Sequence, residues 1–445
     1  MTDTRTKYAR RTVPRYTSYP TAPHFREDFA PATYAGWLRQ TDPALPVSLY
    51  LHVPFCREVC YYCGCNMKLA ASYAPIAAYV EALHDEIALV ASGLPHGLRV
   101  AHLAWGGGTP TSLAPDDLAA VMDRLRRHFH FLPDAELSIE SDPRTLTPEM
   151  AQRIGALGFT RASFGVQEFD PRVQQAINRI QPPDMVARAV DGLRGAGVAR
   201  INFDLIYGLP LQTEATLLSS IATAAAMRPD RVALFGYAHV PWMAKKQRLI
   251  DEATLPGGPA RATQAESAAV ALAAHGYQAI GLDHFALPDD SMAIAARAGT
   301  LRRNFQGYTT DPADTLIGFG ATAIGRSPFG HVQNIAETGA WARAIGAGRL
   351  PVAKGVALSA EDRLRGHVIE RIMCDGAVDT AALGAPPGWC APELAALDEM
   401  AADGLLTRDS GTITLTADGR ALSRVVAAVF DTYLAAGRAR HSVAV

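Results

Sequence analysis

Residues 47–66 read Val47-Ser-Leu-Tyr50-Leu-His-Val-Pro54-Phe-Cys56-Arg-Glu-Val-Cys60-Tyr-Tyr-Cys63-Gly-Cys65-Asn66. The apolar run Val47–Val53 has the length and composition of a buried strand, and Pro54 ends it. Four cysteines follow at once. The first three, Cys56, Cys60 and Cys63, have the spacing C-x3-C-x2-C. Thiolates are soft ligands that select zinc, cuprous copper or iron–sulfur. A loop this tight puts three sulfurs on three corners of an iron–sulfur cube and leaves the fourth iron open to a small molecule. A zinc site is the alternative; it needs a fourth ligand, usually from a second spaced pair. Cys65 is one residue from Cys63, an awkward separation for a tetrahedron, and Cys374 and Cys390 form no second pair. A disulfide framework would spread its cysteines over a smaller chain.

Outward from this stretch the pattern alternates. Strands are predicted at Val47–Val53, Val100–Trp105, Glu136–Ser141, Arg161–Val166, Arg200–Tyr207, Arg231–Tyr237 and Gln278–Leu282. Helices are predicted at Pro75–Ser92, Pro115–His130, Pro148–Leu157, Pro183–Gly195, Thr213–Met227 and Pro259–His275, several opening on proline and closing near glycine. This order implies an α/β fold: parallel strands with right-handed crossovers, in an incomplete (βα)6-type parallel barrel. Chemistry in such folds collects where the strands end. The cysteines follow the first strand, and Gly106–Gly107–Gly108–Thr109–Pro110 follows the second. Glu140 and Gln167 end the third and fourth, Asp204 lies late in the fifth, and Tyr237–Ala238–His239 ends the sixth. Three glycines let the backbone approach a ligand closely. Taken singly, such a turn or a lone carboxylate is more often structural; on one rim beside the cysteines, Glu140, Gln167, Arg179 and Asp204 suit a ribose, a carboxylate and an adenine.

The flanks differ. Prolines break up residues 1–45, which predicts an N-terminal arm with a short helix near Tyr34–Arg39. Residues 46–330 form the barrel region. Residues 331–445 predict a small, mostly helical, winged-helix-like domain: helices at Ser359–Cys374, Pro392–Asp403 and Ala417–Ala436, with a hairpin near Gly411–Thr416. The hydrophobic fraction of 49% over 445 residues supports a large core, and the formal net charge of −2 offers no overall field for nucleic acid. No apolar run suits membrane insertion, and the start lacks a secretory signal's apolar core, so a cytoplasmic location is expected.

The cysteine spacing at the end of a first barrel strand, with an aromatic residue (Tyr62) before the last cysteine, resembles the radical S-adenosylmethionine superfamily. The resemblance implies a [4Fe–4S] cluster on Cys56, Cys60 and Cys63, cleaving S-adenosyl-L-methionine to a 5′-deoxyadenosyl radical. A closer likeness runs almost the whole chain. PRYTSYPT (14–21), WGGGTPT (105–111), YAHVP (237–241), DHFA (283–286), NFQGYTT (304–310), VIERIMC (368–374) and FDTYL (430–434) are similar to the oxygen-independent coproporphyrinogen III oxidases. That likeness implies oxidative decarboxylation of two propionates of coproporphyrinogen III to vinyl groups, giving protoporphyrinogen IX for haem.

It also implies two S-adenosylmethionine molecules. Tyr50, Gly107, Glu140, Ala238 and Ile324 match positions at the cluster-bound one. Tyr62, Gly108, Thr109, Gln167, Arg179 and Asp204 match positions near the second. A low-potential electron donor and a separate electron acceptor are implied partners. Cys65, for which a redox or second-site role is expected, and the PRYTSYPT arm favour the oxidase over a haem-trafficking relative that keeps the cluster without turnover. Arginine is the usual bidentate partner of a carboxylate, so Arg15, Arg302 and Arg303, with Tyr16, Tyr19, Gln306 and Tyr308 nearby, are candidates for the propionates. The bland reading makes these arginines surface charges and His284 of DHFA a buried structural histidine.

Overall fold

Within Val47–Val53 only Tyr50 is partly open to solvent, the burial of a strand covered on both faces. This strand, β1, pairs in parallel with β2 (Arg99–Gly107), and β3 (His130–Ser141), β4 (Arg161–Gln167), β5 (Arg200–Tyr207) and β6 (Arg231–Gly236) follow side by side, every pairing parallel. On its other edge β1 meets β7 (Thr315–Phe319), again parallel, which continues antiparallel into β8 (Ile324–Ser327) and β9 (Gly330–Asn334). These nine strands therefore follow the order β9-β8-β7-β1-β2-β3-β4-β5-β6 within their sheet. The crossovers are α1 (Ala74–Ser92), α2 (Pro115–His128), α3 (Pro148–Ala156), α4 (Pro183–Gly195) and α5 (Glu214–Ala226), with α6 (Gly258–Ala274) after β6. This is the parallel barrel the alternation implies. Proline stands in the first turn of α1 to α4, and the Thr147 hydroxyl caps α3 by accepting from the Met150 N–H.

The computed structural model describes residues 7–8, 11–409 and 411–434. They form two compact units: Glu27–Tyr277 with Asp311–Gly355, and the described parts of 1–26 and 356–445 with Gln278–Thr310. The expected breaks at 45/46 and 330/331 therefore give way to units assembled from separated segments. The helix expected at Tyr34–Arg39 runs Pro31–Arg39 and belongs to the larger unit. The predicted seventh strand forms as Gln278–Ile280. It turns back antiparallel on His284–Ala286 within the smaller unit.

The period of two along the strands sorts their side chains. Leu49, Leu51, Leu103, Trp105, Leu137 and Ile139 are buried on one face. The opposite face is polar: Ser48 lies in register with His102, and His102 with Glu136. At the starts of the strands Glu136 collects His102 Nε2 and Arg161 Nε, each at 3.2 Å, and Arg231 Nη2 at 3.9 Å. Arg161 Nη1 also donates to Asn202 Oδ1 at 2.8 Å, and Ser48 donates to Asp311 Oδ1 at 2.6 Å. The barrel floor is thus a closed charge network.

In the smaller unit a helix at Ala360–Asp375 buries Val368, Ile369, Ile372 and Met373 against Leu406, Ile413, Leu415, Val425 and Phe430. A three-stranded antiparallel sheet stands beside it, with Thr412–Leu415 between Ala377–Asp379 and Leu406–Asp409. The helix expected at Pro392–Asp403 is two, Ala391–Ala396 and Asp398–Ala402. That expected at Ala417–Ala436 breaks at Leu422 into Ala417–Ala421 and Ser423–Ala427, with residues 435–436 outside the described residues.

Candidate active site

The loop after β1 is closed on itself. Lys68–Leu69 pairs in parallel with Phe55–Cys56, and the Ala70 N–H donates to Cys56 O at 3.1 Å. Within it the Cys63 N–H donates to Cys60 O, turning the chain so that the cysteine side chains share one neighbourhood. Distant segments then grip its backbone. Asn178 Nδ2 donates to Val59 O at 2.7 Å, Gln247 Nε2 to Tyr62 O at 2.8 Å and Lys246 Nζ to Cys65 O at 3.3 Å. The Tyr62 ring packs against a cluster of Val173, Ile177, Leu209 and Tyr237.

All six cysteines are free thiols. The Cys65 thiol hydrogen-bonds Cys63, and with nearby Lys246 it lowers the Cys63 thiol against the opposing pull of burial. Burial pushes Cys56 up to about 11, while the Thr109 hydroxyl, 3.6 Å from its sulfur, works the other way. Among the described residues no three His, Cys, Asp or Glu side chains converge as ligands of one metal ion. Cys56, Cys60 and Cys63 all stand on this one short loop and could hold a cubane, whose thiolates bind three different irons.

The glycine turn has a reason beyond ligand approach. A Cβ on Gly106 would sit 2.8 Å from Glu140 Oε1 and 3.1 Å from Tyr50 Oη; on Gly107, with φ of +118°, 2.7 Å from the His52 ring; on Gly108, 2.8 Å from the Phe55 carbonyl oxygen. The three glycines let the turn nest against β1 and its loop, bringing Tyr50, His52 and Glu140 together. Tyr50 Oη lies 3.0 Å from His52 Nδ1, and Glu140 accepts the Gly107 N–H at 3.2 Å. Burial lowers His52 to about 4, so the ring is neutral near pH 7; burial, then the charge of Asp204, raises Glu140 to about 7. His52 escaped the sequence reading, although it alternates with Tyr50 on one face of β1.

A second group forms around Cys60. Arg144 Nη2 and Arg179 Nη1 donate to Cys60 Sγ at 3.5 and 3.4 Å. Asp142, just past β3, accepts from both arginines. Burial works to raise Asp142; Arg179 and Arg144 overcome it and hold the carboxylate below its usual range. Neither Asp142 nor Arg144 was singled out by sequence. Gln167 has a positive φ of 68° and is 8% exposed, yet its Oε1 has no hydrogen-bond partner. Buried Glu168 holds this kink by accepting the Phe169 and Asp170 N–H groups and Gln212 Nε2. An orphaned buried oxygen costs about 1–3 kcal/mol, so Gln167 fits a ligand that supplies a donor, such as an adenine amine or a ribose hydroxyl. Asp204 is in register with Gly165, whose missing Cβ leaves room for Gln167 and Arg179. The Ala238 carbonyl is held by Gln247 at 3.1 Å, and the Ile324 carbonyl lies against Gly318, the β7 partner of Tyr50.

The larger unit thus carries every proposed cluster and cofactor residue, and the smaller carries all the carboxylate candidates. There Arg303 is buried, with Nε and Nη2 donating to Tyr16 O and Arg15 O, and it stacks 4.3 Å over Tyr308. Tyr308 Oη donates to Met373 O, Tyr16 Oη to Asp431, and Tyr19 Oη bonds Thr432. These are therefore packing groups of their unit rather than surface charges. Arg302 pairs with Glu370 at 3.4 Å, and the Gln306 N–H donates to Asn304. His284 Nδ1 lies 2.7 Å from Asp283, and its ring packs edge-on against Tyr308.

Comparison with known proteins agrees with this geometry. The Radical SAM superfamily matches residues 50–224. An oxygen-independent coproporphyrinogen III oxidase of Bradyrhizobium diazoefficiens is 50% identical over 100% of this chain and 99% of its own length. The chain belongs to the oxygen-independent coproporphyrinogen III oxidases. An anaerobic coproporphyrinogen III oxidase of Cereibacter sphaeroides is 44% identical over 95% of this chain and 94% of its own. The solved coproporphyrinogen III oxidase HemN of Escherichia coli, described as a radical SAM enzyme, shares the fold with a TM-score of 0.91 and 37% identity, over 95% of this chain and all of that one. Family membership carries a [4Fe–4S] cluster and S-adenosylmethionine as cofactors, and an oxidoreductase activity.

Proposed function

We propose that this oxidase decarboxylates two propionates of coproporphyrinogen III to vinyl groups without oxygen, yielding protoporphyrinogen IX. The observation that carries this is the full-length likeness to coproporphyrinogen III oxidases, which includes both flanks as well as the cysteine loop. It also favours the oxidase over a haem-trafficking relative.

In this reading Cys56, Cys60 and Cys63 hold the cluster. When bound, the cluster and S-adenosylmethionine supply one electron and a carbon radical able to take a hydrogen atom from a propionate. Tyr50, Gly107, Glu140, Ala238 and Ile324 surround the first cofactor molecule. Glu140, raised by burial, is placed to accept from a ribose hydroxyl. Tyr62, Gly108, Thr109, Gln167, Arg179 and Asp204 surround a second. Neutral His52 holds the Tyr50 hydroxyl in place. Arg15, Arg302 and Gln306 are the proposed propionate contacts; Tyr16, Tyr19, Arg303 and Tyr308 shape the segment that presents them. Each decarboxylation releases one electron, so the reading requires an acceptor as well as a low-potential donor. No helix among the described residues is long and apolar enough to cross a membrane; we place the enzyme in the cytoplasm.

The test is anaerobic incubation of the reconstituted protein with coproporphyrinogen III, reductant and S-adenosylmethionine. Two vinyl groups and two 5′-deoxyadenosines per tetrapyrrole are expected; haem binding without turnover would overturn the reading. Arg302→Ala is expected to raise the KM for the tetrapyrrole about tenfold, as loss of roughly 1.4 kcal/mol of carboxylate binding would. An unchanged KM removes Arg302 from the list.

A further inference from the structure

We propose that Arg144 is a positioning residue that sets the reduction potential of the cluster through Cys60. The inference rests on the reading above, in which Cys60 is a cluster ligand. All three nitrogens of its guanidinium are engaged. Nε and Nη2 bind Asp142 at 3.0 and 2.6 Å, Nη1 binds Glu58 at 2.7 Å, and Nη2 also reaches Cys60 Sγ at 3.5 Å. The fork to Asp142 holds the plane of Arg144 at the sulfur. Arg179 approaches the same sulfur at 3.4 Å, held by Gly165 O and Asp142. One ligand sulfur thus receives two charged N–H donors around one shared carboxylate.

The charges do not cancel. Two guanidiniums face one buried carboxylate. The other partner, Glu58, has a side chain 63% exposed, whereas that of Arg144 is 10% exposed. Solvent screens Glu58 far more than the buried groups. A local excess of positive charge therefore lies against Cys60. Reduction adds one electron to the cluster and breaks no bond, so the reduced form carries one more negative charge. Donors to a ligand sulfur and nearby cations stabilise that form and raise the potential. Arg179 is also a proposed cofactor contact, so Arg144 is the informative residue to change.

The experiment is a dithionite titration of the reconstituted holoprotein, with the reduced cluster followed by its electron paramagnetic resonance. Arg144→Met is expected to lower the reduced-to-oxidised ratio at a fixed potential about tenfold, or ~59 mV for a one-electron couple. Arg144→Lys, which keeps the charge and loses the fork, is expected to lie between. If the methionine variant fails to take up iron, Arg144→Gln replaces it, with the order wild type, lysine, glutamine from high to low. A purely structural role would lower iron content or melting temperature and leave the midpoint where it was. An unchanged midpoint at full iron content overturns the inference alone. A wild-type protein that assembles no cluster overturns the function on which it rests.

Discussion

Glu136 and Glu140 lie on one side of β3, four residues and about 13 Å apart by strand rise, and their surroundings push them in opposite directions. At the floor His102, Arg161 and Arg231 close on Glu136 and, overcoming its burial, hold it well below the usual carboxylate range. At the rim burial and the neighbouring charge of Asp204 push Glu140 up to about 7, although the Gly107 N–H donates to it. The same residue type therefore serves two ends. The floor pairs its charges and contributes stability. The rim holds a carboxylate raised by burial, and near it an orphaned, uncharged amide oxygen on Gln167. Perturbed acids of the second kind are what binding and catalytic sites collect.

This contrast can be broken at either end. The largest effect belongs to the rim: Cys60→Ala is expected to abolish cluster assembly and product formation while leaving the far-ultraviolet dichroism of the fold in place. Unfolding of that variant would mean that the loop, not the floor, holds the barrel. Next is Glu136→Ala, which leaves buried Arg161 and Arg231 without their shared carboxylate. It should cost about 3 kcal/mol in denaturant unfolding with cluster content unchanged. A loss under 1 kcal/mol would show that the floor network is not what we describe. The smallest effect is a pH dependence. Glu140 has a folded pKa above its unfolded value of roughly 4.3, so it lowers stability as pH rises from about 4.5 through about 7. Glu140→Gln should therefore flatten the apoprotein's loss of stability between pH 5 and 8 by about 1–2 kcal/mol. Glu136 has the opposite sign: its contribution is full above the unfolded value and fades as pH falls below it. Equal pH slopes for Glu140→Gln and the wild type would end the comparison.

Much of this was legible beforehand, and for identifiable reasons. Strand burial on both faces writes a continuous apolar run such as Val47–Val53, and ligand spacing within one loop is a purely local property, so Cys56, Cys60 and Cys63 stood out. The turn 106–108 was legible as close backbone approach beside Tyr50 and Glu140, but its packing against His52 and Phe55 was not. Asp142, Arg144 and Lys246 passed unnoticed because each looks like an ordinary surface charge until another segment is placed beside it. Arg303 and Tyr308 were expected to face a substrate; the structure uses them to pack residues 15–16 and Met373 within their own unit. Long polar side chains take partners far away in the chain, and no periodicity encodes which.

By itself, then, the order of residues determined the strand–helix alternation, the rim on which chemistry collects and the three sulfurs of the loop, because each is written in spacing along the chain. Tertiary structure alone decided which arginines reach Cys60, which glutamate is neutralised and which is raised, and that 278–310 groups with the two ends of the chain. Those outcomes depend on distance and desolvation between residues tens to hundreds of positions apart, and only the folded chain brings them within range.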